Sequence, residues 1–131
     1  RRAVRIALIG AGSIADWHLA GLHAAGVTAA VVAARRPERA REAAARHGVP
    51  EAVSDWRPLP VRTDLDAAII ATPDATHAEV AGAFLAAGKP VLVQKPLAAS
   101  VSEAEALLAA ARAARVPLEV AFMHRHLPEA V

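Results

Sequence analysis

The stretch Val4-Arg5-Ile6-Ala7-Leu8-Ile9-Gly10-Ala11-Gly12-Ser13-Ile14-Ala15 decides the fold. Val4 to Ile9 is a short apolar run rich in β-branched residues, as expected for a strand buried on both faces of a parallel sheet. Gly10 closes it. From Ser13 to about Ala25 the apolar positions Ile14, Trp17 and Leu22, with neighbouring alanines, make one helical face, and Gly26 stands where a C′ glycine ends a helix. A buried strand turning at once into a helix is the first half of a βαβ unit.

Outward from that start the pattern repeats. Thr28 to Ala33 reads as a second strand, and Pro37 fits the first turn of a helix that runs to His47 and is closed by Gly48. Val49 to Asp64, with three prolines and Trp56, is the least regular part and holds one short strand and a connection. Ala67 to Ala71 is again a buried strand. Thr76 with Glu79 has capping-box spacing and opens a helix ending near Gly88. Val91 to Gln94 is a fifth strand, Ser100 with Glu103 caps a helix to about Arg115, and Leu118 to Phe122 is the last strand. Six strands thus alternate with four or five helices. Parallel strands need crossovers, and these are right-handed in nearly all cases, so helices must cover both faces of the sheet. The expected fold is α/β, a doubly wound parallel sheet in three α/β/α layers, with residues 1–131 as one domain.

Composition narrows the chemistry. The 131 residues carry 15 basic and 13 acidic side chains, a formal charge of +2, spread without runs of like charge. With 3% aromatic residues there is little to stack on bases, so nucleic acid is not an expected partner. The absence of cysteine excludes disulfides, thiolate nucleophiles and zinc–thiolate sites. No apolar run has the 18 or more residues of a membrane span, so no membrane is expected and the cytoplasm is the default location. Arg1-Arg2 could open a twin-arginine export signal, but the apolar residues behind it run straight into the glycine motif. Beginning at Arg1 and not Met, the sequence reads as a processed or excised piece, or an incomplete gene model.

Gly10-Ala11-Gly12-Ser13-Ile14-Ala15 is a G-x-G-x-x-A between a strand and a helix. There the first glycine allows the tight turn, the second lets a pyrophosphate approach the backbone, and the small Ala15 lets helix and strand pack closely. Free amides at the helix start and its dipole then favour phosphate. The motif predicts dinucleotide binding at Gly10, Gly12, Ser13 and Ile14. About twenty residues on, a NAD site usually carries an acid for the ribose 2′-hydroxyl. Here the second strand ends in Ala34-Arg35-Arg36, two guanidinium groups suited to a 2′-phosphate. NADP is therefore the expected cofactor, with NAD the alternative; the plainer reading of Arg35 and Arg36 is two solvated side chains at a helix start.

Two further segments lie at the C-terminal ends of strands, where open α/β sheets bind ligands: Ala71-Thr72-Pro73-Asp74-Ala75-Thr76-His77 and Gln94-Lys95-Pro96. With the glycine turn and His18, Ala87-Gly88-Lys89-Pro90 and Arg125-His126-Leu127-Pro128, their order resembles the N-terminal Rossmann domain of the Gfo/Idh/MocA oxidoreductases over essentially the whole chain. The resemblance implies hydride transfer between a nicotinamide and a sugar, cyclitol or related secondary alcohol. It places Ala71, Thr72, Pro73, Asp74 and His77 along the cofactor, Gln94 and Lys95 beside its nicotinamide, and Lys95 as the catalytic residue, orienting the substrate oxygen. It also implies a cis Lys95–Pro96 bond, a geometry that only X-Pro makes cheap.

One position departs from the family: Gln94 stands where most relatives have glutamate, so a carboxylate–lysine interaction is not expected. His77 reads more simply as a group bonding near a helix start than as a proton donor, and His18 as packing on the first helix. His124 and His126 lack carboxylate partners at metal-site spacing, and no metal is expected. Asp16, Asp55, Asp64 and Asp66 read as capping or solvated groups. The resemblance further implies that the acid–base residues and most of the substrate pocket come from a second domain beyond Val131. On that reading this chain is not expected to turn over alone. The alternative is a non-catalytic or truncated NAD(P)-binding module, and assembly into an oligomer is compatible with either.

Overall fold

The computed structural model describes residues 3–121; Arg1-Arg2, Phe122, His124 and the Arg125-to-Pro128 motif lie outside them. Six strands, β1 (Ile6–Ile9), β2 (Ala29–Ala33), β3 (Glu51–Val53), β4 (Ala67–Ile70), β5 (Val91–Gln94) and β6 (Leu118–Ala121), form one all-parallel sheet in the order β3-β2-β1-β4-β5-β6. The connection after β2 leads outward on one side and β4 opens the other, so the strand order reverses beside β1. That reversal is where ligands of doubly wound sheets bind.

Four helices fill the crossovers: α1 (Ser13–Ala24), α2 (Pro37–His47), α3 (His77–Ala86) and α4 (Val101–Ala114). Neighbouring residues of β1 point to opposite layers. Ala7 and Ile9 join the core under α3 and α4 with Val80, Phe84 and Leu107, whereas Leu8 joins the one under α1 and α2 with Ala15, Leu19, Ala40 and Ala43. Every residue of β2 is buried. The alanine face of α2 is buried at Ala40, Ala43 and Ala44, and on α1 Ala15 is fully buried at the first contact, with Leu19 one turn on.

Helix boundaries follow the local chemistry in most places. Pro37 lies in the first turn of α2, and Gly48 ends it in the left-handed conformation with φ 68°. Ser100 caps α4, its hydroxyl accepting from the Glu103 amide at 3.2 Å. Two expectations are corrected. Val4 and Arg5 precede β1, because the Arg5 amide donates to the Asp66 carboxylate at 2.8 Å and not to a neighbouring strand. Thr76 does not cap α3: a 3₁₀ turn over Asp74–Thr76 leads straight into the helix, and the Thr76 hydroxyl lies 2.7 Å from the Pro73 carbonyl oxygen.

The four aspartates are more engaged than expected. Asp16 on α1 accepts from Arg46 at 3.0 Å and lies 2.8 Å from His47 Nε2, tying α1 to the end of α2. Asp55 accepts from the Arg57 amide. At the sheet end far from the glycine turn, Arg62 forks onto Glu51 at 2.9 and 3.0 Å and onto Asp64 at 2.9 and 2.7 Å. It thereby fastens the edge strand β3 to the segment before β4.

Hydrogen bonds from Arg62 hold the Asp64 carboxyl down at about 2. A carboxylate lowered on folding adds stability that is whole above its unfolded value, about 4, and lost as pH falls through the folded one. The stability difference between the wild type and Asp64→Asn is therefore expected to hold from neutral pH to about 4 and to shrink towards pH 2. Urea midpoints measured across that range check it, and a constant difference would contradict it.

Candidate dinucleotide site

A cleft of about 450 Å³ opens at the C-terminal ends of β1, β2 and β4. Its floor is Ile9, Gly10, Ala11 and Gly12. One wall is Ala33, Ala34, Arg35, Arg36 and Arg39; the other is Ala71, Thr72 and Pro73, continued by Thr76, Glu79 and Val80. Ser54 and Trp56, just after β3, complete it.

The two glycines of the turn have different reasons to be glycine. Gly10 has φ +113°, and a Cβ there would press into the Ala71 carbonyl, 2.7 Å from its carbon. It is glycine because β1 and β4 run side by side: the Ala71 amide donates to Ile9 and the Gly10 amide to Ala33, each at 2.7 Å. Gly12 has an ordinary φ of −80°, and a Cβ on it would meet no protein atom within 4 Å. Neither backbone nor packing requires glycine there. What the missing side chain leaves is open space over the start of α1, which has no side-chain cap; the Ala15 amide turns back to the Gly12 carbonyl at 3.0 Å, and the Ser13 and Ile14 amides are the ones without intrahelical acceptors. This is a cradle for an anion, helped by the helix dipole.

The arginine wall adds charge. Arg35, Arg36 and Arg39 are exposed around the cleft, and among the described residues none is held in an ion pair. Arg39, one turn into α2, was not foreseen, although its i+3 spacing from Arg36 is legible. Trp56 was not foreseen as a wall either. It is half-buried against the core with the Arg57 guanidinium 5.9 Å from its ring centre. Only the strand order, which sets the end of β3 beside that of β2, brings it to the cleft.

Other expected positions are not among the residues lining this cleft. Ser13 and Ile14 begin α1 just beyond Gly12, and Asp74 is exposed in the 3₁₀ turn. Gln94 ends β5 and Lys95 is exposed beyond it, with the Lys95–Pro96 bond cis. Gln94 Oε1 lies 3.1 Å from His18 Nε2, so His18 links α1 to β5 across the sheet and does more than pack on its own helix. His77 does not line the cleft: it is buried behind the Thr72 loop. No cluster of three or more metal-ligating side chains occurs among the described residues, and no helix there is long and apolar enough to cross a membrane.

A parallel sheet in this order, with an uncapped helix start over an open glycine and a cleft at the strand reversal, defines a dinucleotide-binding Rossmann domain. Residues 4–122 match the family described as an oxidoreductase family with an NAD-binding Rossmann fold, and the chain belongs to that Gfo/Idh/MocA family. It is 42% identical over 106 residues to a 4-carboxy-2-hydroxymuconate-6-semialdehyde dehydrogenase of Sphingobium sp. (strain NBRC 103272 / SYK-6), covering 80% of this chain and 34% of that protein. It is 38% identical over 126 residues to a scyllo-inositol 2-dehydrogenase (NADP(+)) of Bacillus subtilis (strain 168), covering 95% of this chain and 38% of the relative. A levoglucosan dehydrogenase solved in complex with NADH superposes with a TM-score of 0.88 at 33% identity, over 95% of this chain and 36% of that one. The chain thus spans little more than a third of these relatives. It is an NAD(P)-binding oxidoreductase domain.

Proposed function

We propose that this domain serves an NADP-dependent dehydrogenase acting on a secondary alcohol of a sugar or cyclitol, whose substrate-binding region lies in a second domain. The observation that carries the reading is Gly12, open where nothing in the protein needs it open. The residues present fit the cofactor. The amides at the start of α1 bind the diphosphate, and Arg35 and Arg36, with Arg39 beside them, supply the positive charge a 2′-phosphate would meet. Bound NADP would supply a nicotinamide carbon that exchanges hydride with the alcohol carbon, the hydroxyl proton passing to and from an acid–base residue of the second domain. Lys95, carried beyond the end of β5, donates to the alcohol oxygen and steadies the charge that develops there. Gln94 offers an uncharged acceptor to His18, so the lysine is not drawn to a carboxylate at that position.

Two relatives support the reading from different sides, one named for NADP(+) and inositol, the other solved with NADH and named for levoglucosan. Arginines in place of the usual acid after β2 favour the phosphorylated cofactor here.

Titration with NADPH and with NADH tests the preference. NADPH is expected to bind more tightly, and replacing Arg35 and Arg36 together by alanine to weaken NADPH about 10- to 100-fold while barely changing NADH, since a charge-assisted bond contributes about 1.5–3 kcal/mol. Tighter NADH binding by the wild type would reject it. In the intact gene product, oxidation of scyllo-inositol, levoglucosan and D-glucose tests the reaction. Lys95→Ala is expected to lower kcat about 10²- to 10³-fold with coenzyme affinity retained. Coenzyme binding without turnover of any polyol would favour a non-catalytic module.

A further inference from the structure

His77 opens α3, yet its side chain turns inward. At 1% exposure it is the buried polar residue of the core among the described residues. Its Nδ1 lies 2.7 Å from the Pro96 carbonyl oxygen and its Nε2 2.8 Å from that of Thr72. Both partners only accept. A neutral imidazole has one N–H, so it serves one carbonyl at a time through alternate tautomers, and both at once only when each nitrogen carries a proton. A buried neutral histidine is satisfied by one acceptor for its N–H and one donor for its other nitrogen. This one faces two acceptors, from different loops.

The identity of those loops gives the arrangement its meaning. Thr72 belongs to the turn after β4 that walls the cleft, and Pro96 directly follows Lys95 after β5. Among the described residues no other side chain bonds to both loops; Thr76 reaches only the first, and the His18–Gln94 contact involves only the end of β5. We infer that His77 is a positioning residue, a two-point strut whose ring sets the separation between the cofactor wall at Thr72 and the lysine at position 95. This rests on the role proposed above for Lys95. The ring does not line the cleft, and both of its hydrogen-bond partners are backbone carbonyls, so it acts through them.

The two contacts can be removed one at a time. An asparagine amide nitrogen falls near the place of Nδ1 and keeps the Pro96 bond; a glutamine amide nitrogen falls near Nε2 and keeps the Thr72 bond. In amide ¹H–¹⁵N spectra without coenzyme, His77→Asn is expected to shift Thr72 and Asp74 while sparing Lys95 and Leu97, and His77→Gln to do the reverse. In the intact gene product, His77→Asn should weaken NADPH binding roughly tenfold with kcat within about threefold of wild type. His77→Gln should lower kcat roughly ten- to hundredfold, as displaced catalytic groups do, with NADPH affinity nearly kept.

Parallel shifts of both loops in both variants, or equal losses of melting temperature with unchanged kinetic constants, would overturn the strut. If one variant does not fold, the other still decides, because each must move one loop and spare its neighbour. Failure of the wild type to bind either coenzyme would instead reject the proposed function, and the coenzyme-free spectra would still report on the strut.

Discussion

Gly10→Ala is expected to lower the stability of the domain by more than about 3 kcal/mol, a large part of the roughly 5–15 kcal/mol that holds a domain folded. Two effects add. Alanine at φ +113° is strained, and its methyl would press on the Ala71 carbonyl, a backbone group held in the central β1–β4 pair that cannot swing away. Relief would require β4 to move from β1, loosening the ladder that carries both cores. Chemical denaturation checks this, and a loss below about 1 kcal/mol would show that the turn tolerates a side chain.

Two residues on, Gly12→Asp is expected to do the opposite. Aspartate is among the favoured N-cap residues, and at φ −80° with no atom near its Cβ it should leave the fold as stable as before or slightly more so. It would also set a carboxylate over the amides that are to hold a diphosphate. Coenzyme affinity should fall at least about 100-fold, about 2.8 kcal/mol at 1.4 per decade. Gly12→Ser, which adds bulk without charge, should lose less at the same stability. Calorimetric titration paired with thermal unfolding separates the terms. Coenzyme affinity of the aspartate variant within threefold of wild type would remove Gly12 from the site.

These outcomes differ although the residue type is the same and the positions are two apart. The glycine pattern alone assigns one a turn and the other a ligand. The structure supplies the partner that makes the first assignment physical, the Ala71 carbonyl, 61 residues away in sequence. For Gly12 it supplies the lack of one.

Much of the fold was legible because it is local. The span of α2 can be read from Pro37, its alanine face and Gly48, each acting through dihedrals or spacing within a few residues. Where expectation and structure part, a competing hydrogen bond has intervened, from a distant residue at Arg5 and from the preceding turn at Thr76. Asp66 draws the Arg5 amide out of β1, and the Thr72–Pro73 turn takes the Thr76 hydroxyl from the helix it was to cap. Trp56 stands in a stretch without periodicity and reaches the cleft only through the pairing of β3 with β2.

By itself, then, the sequence determined the alternation of strand and helix, the glycine turn, and the arginines that follow the second strand, since propensity, hydrophobic period and backbone dihedrals are properties of neighbours. Tertiary structure alone decided that His18 meets Gln94, 76 residues on, that the His77 ring is buried between two carbonyls and does not line the cleft, and that Trp56 joins the cleft. Right-handed crossovers and the order of the strands set which distant groups share a space, and no local pattern along the chain encodes that distance.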